Sequence, residues 1–359
     1  MYYSGIDLHR DTCTITTLDD SGTKVKAKNV PTDPTQIQQY FADLPGDHRA
    51  VVECTTGWYW LSDLCQAIGI DLILAHAKHL KAIAYAKVKT DTVDALTMAQ
   101  VLRLGFIPQA HQVSRERRGL RDLLRHRLRL VDTRRRLQTQ AQAVLLKENH
   151  GPVAGPLLRE VPALEAHLDT LLDPSTRLQL ETVAGQLQQL DTSLRTIRSQ
   201  LRTDLIQVPD VQYLLTIPGV GLLTALTIFL EVDGIQRFPT VGQFFSYARL
   251  VPGAHNSGGK HHHVRRKDGN RYRTMACGQA APRARQYYPV IRGWFERKQR
   301  RKGFAIANTL VMKELARCAY YVLKKHEPFH GKWKGQPVTH QKHRHWPQPV
   351  NSPNSLPLQ

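Results

Sequence analysis

Residues 1 to about 110 change their hydrophobic period in an order that few folds accept. Three β-like runs come first: "MYYSGIDLH", "TCTITTLDD" and "TKVKAKNVP". Helix and strand then alternate. "DPTQIQQYFADL" has helical spacing, with Pro34 suited to a first-turn position. "RAVVECT" reads as a short buried strand, "WYWLSDLCQAIG" as a helix stopped by Gly69, and "IDLILA" as another strand. A further helix starts near Asp91. Three strands in succession followed by alternation predict a mixed α/β sheet flanked by helices.

The periodicity then becomes helical. Residues 111–206 carry, from Arg115, the run "RERRGLRDLLRHRLRLVDTRRRLQTQ", dense in arginine and leucine. After a break at "HGPVAGP", Leu180, Val183, Leu187, Leu190, Leu194, Ile197 and Leu201 follow a heptad seam. An antiparallel helical hairpin is expected, with a seam also able to pair with another subunit. Residues 207–325 read as a mainly α domain opening on "LLTIPGVGLLTALTIFLEV". Residues 326–359, rich in Pro, His, Gln and Lys, are expected to be disordered.

The formal net charge of +20 favours a polyanionic partner, held through phosphate contacts and counterion release. No apolar run is long enough to span a bilayer, and the opening residues lack a signal-peptide pattern. The expected location is the cytoplasm, in association with the nucleoid and with no membrane partner. The five cysteines are scattered without a C-x-x-C pair, which suggests neither a zinc ribbon nor a disulfide framework.

Four acids stand at telling places. Asp7 falls at the end of the first strand and Glu53 at the end of a buried one. Asp91 and Asp94 share one helix face at i and i+3. Read alone, Thr90 or Asp91 is an N-cap with Asp94 in the first turn. Read together, the four resemble the carboxylates that phosphodiester chemistry needs to hold two Mg²⁺ ions. One residue can serve both roles.

"GIDLHRDT", "VVECTTGWYWLSDLC" and "KTDTVDALTMAQVL" resemble the RuvC-like, ribonuclease-H-fold domain of DEDD transposases. "LTIPGVGLLTALTIFLEV", "RFPTVGQFFSYARLVPGAHNSGG" and "KDGNRYRTMACGQAA" extend the resemblance, in order, to the insertion-sequence 110 family. The resemblance implies a RuvC-like domain over 1–110, a coiled-coil insertion over 111–206 and a C-terminal Tnp domain over 207–325. It implies Asp7, Glu53, Asp91 and Asp94 as metal-binding catalytic carboxylates. Ser257 takes the place of the family's nucleophilic serine, although Arg249-Leu250 replaces the family's usual glycine-leucine. The implied activity is cutting and rejoining DNA through a serine–DNA bond, guided by a bridge RNA, in a dimer or tetramer. The competing readings are a junction nuclease that uses water and a non-catalytic nucleic-acid-binding protein.

Several residues are candidates for holding nucleic acid. Gly219 and Gly221 in "IPGVGLLTA" resemble a helix-hairpin-helix turn, where backbone N–H groups meet phosphate. From His255 to Gly303 there are 14 Lys or Arg against 2 acids, among them Lys260, Arg265, Arg266, Lys267, Arg271 and Arg273, with Tyr272 interleaved. His261, His262 and His263 are read as loop or phosphate contacts, since three consecutive histidines do not readily converge on one ion. Arg125 and Arg129 lie on the arginine-rich helix, with Leu120, Leu124 and Leu128 on its packed side.

Overall fold

The computed structural model describes residues 1–339 apart from 84–89, 152–154, 156, 172, 252, 258–259 and 265–268; of residues 254–264 it describes the backbone. The chain forms two compact units, Met1–Val113 and Ser114–Gln359.

The first unit is a five-stranded mixed sheet with strand order β3-β2-β1-β4-β5. The strands are β1 (Tyr2–Leu8), β2 (Thr12–Leu18), β3 (Lys24–Pro31), β4 (His48–Glu53) and β5 (Asp71–Ala75). β1, β2 and β3 pair antiparallel, whereas β4 runs parallel to both β1 and β5. Helices α1 (Pro34–Ala42) and α2 (Trp58–Ala67) cover one face through Ile37, Tyr40, Phe41, Trp58, Leu61 and Cys65. Asp33 caps α1, accepting from the Gln36 amide, and Pro34 opens the helix as the sequence indicates. Gly69, with φ +76°, follows the end of α2. A short helix, α3 (Ala77–Ile83), follows β5 and has no counterpart in the sequence reading.

Helix α4 (Asp91–Arg103) covers the opposite face through Met98 and Leu102, which pack with Val51, Ala75 and Leu80. Its approach to β1 depends on Gly5. A Cβ there would run into the Ala95 carbonyl oxygen and stand 2.7 Å from the Ala99 nitrogen. Ala95 and Ala99 are themselves fully buried. Small residues on both sides therefore bring helix backbone against strand backbone.

In the second unit, α5 (Arg115–Lys147) packs along α7 (Pro174–Leu205), with the short α6 (Val161–His167) between them in sequence. Ala141 and Leu145 share a core with Leu180, Ala184 and Leu187, while Leu124 shares one with Leu201 and Leu205. That order makes the hairpin antiparallel. Along its seam Leu180, Leu187 and Leu201 are buried against α5 and its neighbours, while Val183, Leu190, Leu194 and Ile197 remain partly exposed.

The remainder of this unit is built on α8 (Pro209–Leu215) and α9 (Leu222–Val232), the latter buried from Thr224 to Val232. α10 (Val241–Tyr247), α11 (Arg271–Tyr287) and α12 (Pro289–Lys325) pack around it, with α12 kinked at Gly303. Between α10 and α11 an antiparallel hairpin, β6 (Gly253–Ser257) and β7 (Lys260–Val264), interrupts the otherwise helical order. Order also runs past residue 326. Lys332–Trp333 pair with Gln336–Pro337, and Trp333 is 1% exposed, packed edge-on against Trp294. The expectation of disorder from 326 is thus corrected up to 339, because one tryptophan anchors the segment; residues 340–359 lie outside the described residues.

The Gly5 contact yields a test. Gly5→Ala should destabilise the first unit by about 3 kcal/mol or more, since backbone cannot give way as a side chain would. Urea unfolding followed by the fluorescence of Trp58 and Trp60 would measure it. Gly69→Ala, which meets nothing within 4 Å but sits at positive φ, should cost only about 1 kcal/mol.

Candidate active site

β1 and β4 run parallel with Ile6 opposite Val52, so the next residues, Asp7 and Glu53, end neighbouring strands side by side. Gly5 and Asp7 share a face of β1 by the two-residue period, and Gly5 is the residue against α4. Asp7 therefore lies on the α4 side. Thr90 caps α4, its hydroxyl accepting from the Val93 amide at 3.3 Å. Asp91 is then the first helical residue and Asp94 lies one turn further along. The capping role belongs to Thr90, and both acids sit where the helix dipole favours negative charge.

Asp7, His9 and Asp91 converge. Each can offer one ligand atom, and the three atoms lie within 4.8 Å of one another. His9 Nε2 is 3.2 Å from Asp7 Oδ2 and 3.6 Å from Asp91 Oδ1. Burial pushes the Asp7 pKa above its ordinary value, His9 draws it back, and the charges of Asp91 and Asp94 push it up further. Asp94 thus lies within electrostatic reach of Asp7. Glu53, half-buried at the end of β4, is outside the three-residue cluster. Oxygen donors crowded against their own repulsion suit a divalent cation, which would relieve that repulsion.

Ser257 ends β6 and pairs in register with Lys260 at the start of β7, so the two flank the turn of the hairpin. His255 pairs with His262, and Asn256 with His261. The side chains of Ser257 and Lys260 lie outside the described residues, as do Arg265, Arg266 and Lys267 entirely.

With this geometry in place, the comparisons with known proteins are decisive. A DEDD transposase family of the IS110 type matches residues 4–149, which include all four carboxylates. The transposase IS116/IS110/IS902 family matches residues 211–293, which include Ser257. The chain belongs to the IS110 transposase family. It is 24% identical over 258 residues to the transposase for insertion sequence element IS1111A of Coxiella burnetii, covering 71% of this chain and 70% of that protein. A probable family 20 transposase of Pseudomonas aeruginosa is 26% identical over 236 residues, 63% of this chain and 67% of the relative. A Streptomyces coelicolor IS110 protein is 34% identical over 116 residues, 30% of this chain and 28% of its own length. The activity is accordingly that of a DNA transposase. No described helix is long and apolar enough to cross a membrane.

Several basic residues of the transposase have structural duties that the sequence conceals. Arg273 is 2% exposed, with its guanidinium 3.6 Å from the Phe244 ring centroid and further contacts to Phe238 and Tyr247. Burial lowers its pKa to about 10, so it stays cationic at neutral pH without reaching solvent. Its assignment as a phosphate contact is corrected: it is a core cation held by aromatic faces. Gly219 is buried, and a Cβ there would stand 2.5 Å from backbone atoms of Ala280 and Ala284. It serves close packing on α11, whereas Gly221, at the N-cap of α9, has open space around it.

Arg125 grips the buried Glu231 with two hydrogen bonds of 2.6 and 2.8 Å and stacks over Tyr272. Arg121 and Asn270 complete that carboxylate's shell. Burial alone would raise the Glu231 pKa, but these partners hold it below its ordinary value. Asn270 also accepts from the Tyr272 and Arg273 amides, capping α11. Arg125 is therefore committed within the unit, while Arg129 and Arg271 are exposed.

Asp7 has a raised folded pKa, so its charged form costs stability above that pKa and the cost fades as pH falls through it. Asp7→Asn should raise the melting temperature of metal-free protein at pH 7 by about 2–5 °C, with the gain vanishing once wild-type Asp7 is protonated; calorimetry across pH would show it. Arg273→Ala should destabilise the second unit by about 2–4 kcal/mol through lost packing and cation–π contact. Arg271→Ala should leave unfolding unchanged, and any phosphate contact it makes should appear as a salt slope of DNA binding reduced by about 1.

Proposed function

We propose that this transposase cuts and rejoins DNA through a covalent Ser257–DNA intermediate, with Asp7, Glu53, Asp91 and Asp94 holding divalent cations. The observation that carries the carboxylate half is the convergence of Asp7 and Asp91 at the end of β1, beside the start of α4. Oxygen donors of this kind suit Mg²⁺, which neutralises charge on a scissile phosphate and on the oxygens that attack and leave.

Ser257 is the nucleophile in this reading. Its Oγ bonds to phosphorus as the phosphorus–oxygen bond to one deoxyribose breaks. The serine proton departs, and the freed deoxyribose oxygen ends as a hydroxyl. Because one ester replaces another, the bond energy is conserved, and attack by another strand's hydroxyl can reverse the step and join new ends. The position of Ser257 at a hairpin end, paired with Lys260, supports the reading by setting a hydroxyl-bearing residue beside a cationic one along the backbone. A noncoding bridge RNA selects the element ends and the target. Two active sites must meet for strand exchange, so the working form is a homo-oligomer, a dimer or tetramer.

Exposed cations, including Arg129 and Arg271, together with Lys260, Arg265, Arg266 and Lys267, hold nucleic-acid phosphates in this reading. Gly221 retains its place as a backbone contact at the N-terminus of α9.

The test combines purified protein, labelled junction DNA, Mg²⁺ and RNA transcribed from beside the gene, resolved on a denaturing gel. Wild type should give DNA covalently attached to protein, Ser257→Ala should give none, and omission of the RNA should abolish the adduct. Free cleaved ends, equally abundant in both proteins and without an adduct, would replace this reading with hydrolysis by water.

A further inference from the structure

The residue that sequence patterning passes over at the carboxylate site is His9. It lies in the β1–β2 turn, two residues beyond Asp7, and the turn holds it at both backbone groups. The His9 amide donates to the Thr12 carbonyl at 3.0 Å, and its own carbonyl accepts from the Thr32 hydroxyl at 3.0 Å. The imidazole is thereby placed between two carboxylates from different elements, Asp7 on β1 and Asp91 on α4. Three ligand atoms from a strand, a turn and a helix fall within 4.8 Å of one another, a separation a single cation can span.

We infer that His9 is a metal ligand, which makes the site of this transposase a mixed nitrogen–oxygen centre that selects Mn²⁺ over Mg²⁺. The inference rests on the reading of Asp7 and Asp91 as metal ligands and adds a donor to it. Mg²⁺ is a hard ion that prefers oxygen and retains its waters. First-row divalent ions accept imidazole nitrogen more readily than Mg²⁺ does, and Mn²⁺, at the start of that series, is the one that shares the preference of Mg²⁺ for carboxylate oxygen. A purely carboxylate site discriminates less between the two ions, whereas one well-placed imidazole adds more affinity for Mn²⁺ than for Mg²⁺. Neutral imidazole is needed, with its proton on Nδ1, so that Nε2, which already faces both carboxylates, meets the ion in place of those contacts.

The alternative role of the same geometry is a protonated His9 acting as an internal counter-ion. It would occupy the carboxylates in the absence of metal and be displaced on binding. The two roles differ in sign. A ligand, when removed, weakens Mn²⁺ binding; a competitor, when removed, strengthens binding of every cation.

The experiment measures Mn²⁺ binding to the full chain by electron paramagnetic resonance of the free ion, and Mg²⁺ by its competition. The proteins are wild type, His9→Ala, His9→Gln and the control Asp7→Asn. No DNA or turnover is involved. Wild type should prefer Mn²⁺ by about tenfold or more, and His9→Ala should lose about tenfold in Mn²⁺ affinity while Mg²⁺ affinity moves less than about threefold. His9→Gln guards against a change in turn structure, and should behave like His9→Ala. Equal losses for both ions, no loss, or a gain would each overturn the assignment of His9 as a ligand. Asp7→Asn separates the layers: if it leaves Mn²⁺ binding intact, the carboxylate reading itself fails, and if it abolishes binding while His9→Ala does not, only the role of His9 fails.

Discussion

The close contact of α4 with β1 at Gly5 is the constraint on which the first unit depends. A side chain at Gly5 would hold the helix off the sheet, because Ala95 and Ala99 present backbone there rather than flexible atoms. Once the backbones meet, the rest is geometry. The helix starts beside the end of β1, so Asp91 reaches Asp7, and the parallel pairing of β1 with β4 sets Glu53 alongside. The packing solution and the acid cluster are one feature. Its cost is visible in Asp7, whose carboxyl is destabilised in its charged form by burial and by Asp91 and Asp94. His9 offsets part of that cost by its contact and hydrogen bond with the Asp7 carboxylate.

The second unit handles charge in the opposite way. A helix as arginine-rich as α5 invites reading as a surface for polyanions, and the chain's charge of +20 reinforces it. Yet Arg117 pairs with Asp233, Arg121 and Arg125 with Glu231, and Arg134 with Asp191. Glu231 has no exposed side-chain surface, so its partners fix how α5 sits on α9 and leave little freedom to slide. Breaking such a buried pair from one side leaves an uncompensated charge, which is why arginines of this kind are structural before they are anything else. Formal charge therefore overstates the cations available to phosphate.

The strands, the main helices and their order were legible because each element buries one face and so carries its period in the sequence. β1 to β5 and the helices at Pro34, Trp58 and Asp91 all appear where the pattern puts them. Asp7 and Asp91 were legible as charges at element ends. What patterning missed shares one cause: it depends on contacts between residues distant along the chain. Arg273 looks like its neighbour Arg271 until Phe238, Phe244 and Tyr247 close around it. Gly219 looks like a phosphate turn until α11 is seen against it. Trp333 looks like part of a solvated tail, and its burial beside Trp294 could be suspected only from the cost of leaving an indole in water. His9 is a turn residue until Asp91 arrives on the first turn of α4.

The two charge regimes together bear on how DNA can enter the reaction. A phosphate brought to about 4 Å from a carboxylate at an effective dielectric near 20 meets about 4 kcal/mol of repulsion. In the proposed reading Asp7, Asp91 and Asp94 would each contribute, so a phosphate would be repelled there until cations were bound. Holding DNA and admitting a scissile phosphate are therefore separable events. The first draws on exposed cations and weakens with salt. In the proposed reading the second would wait on a cation held by Asp7 and Asp91, whose crowded charges such an ion would relieve.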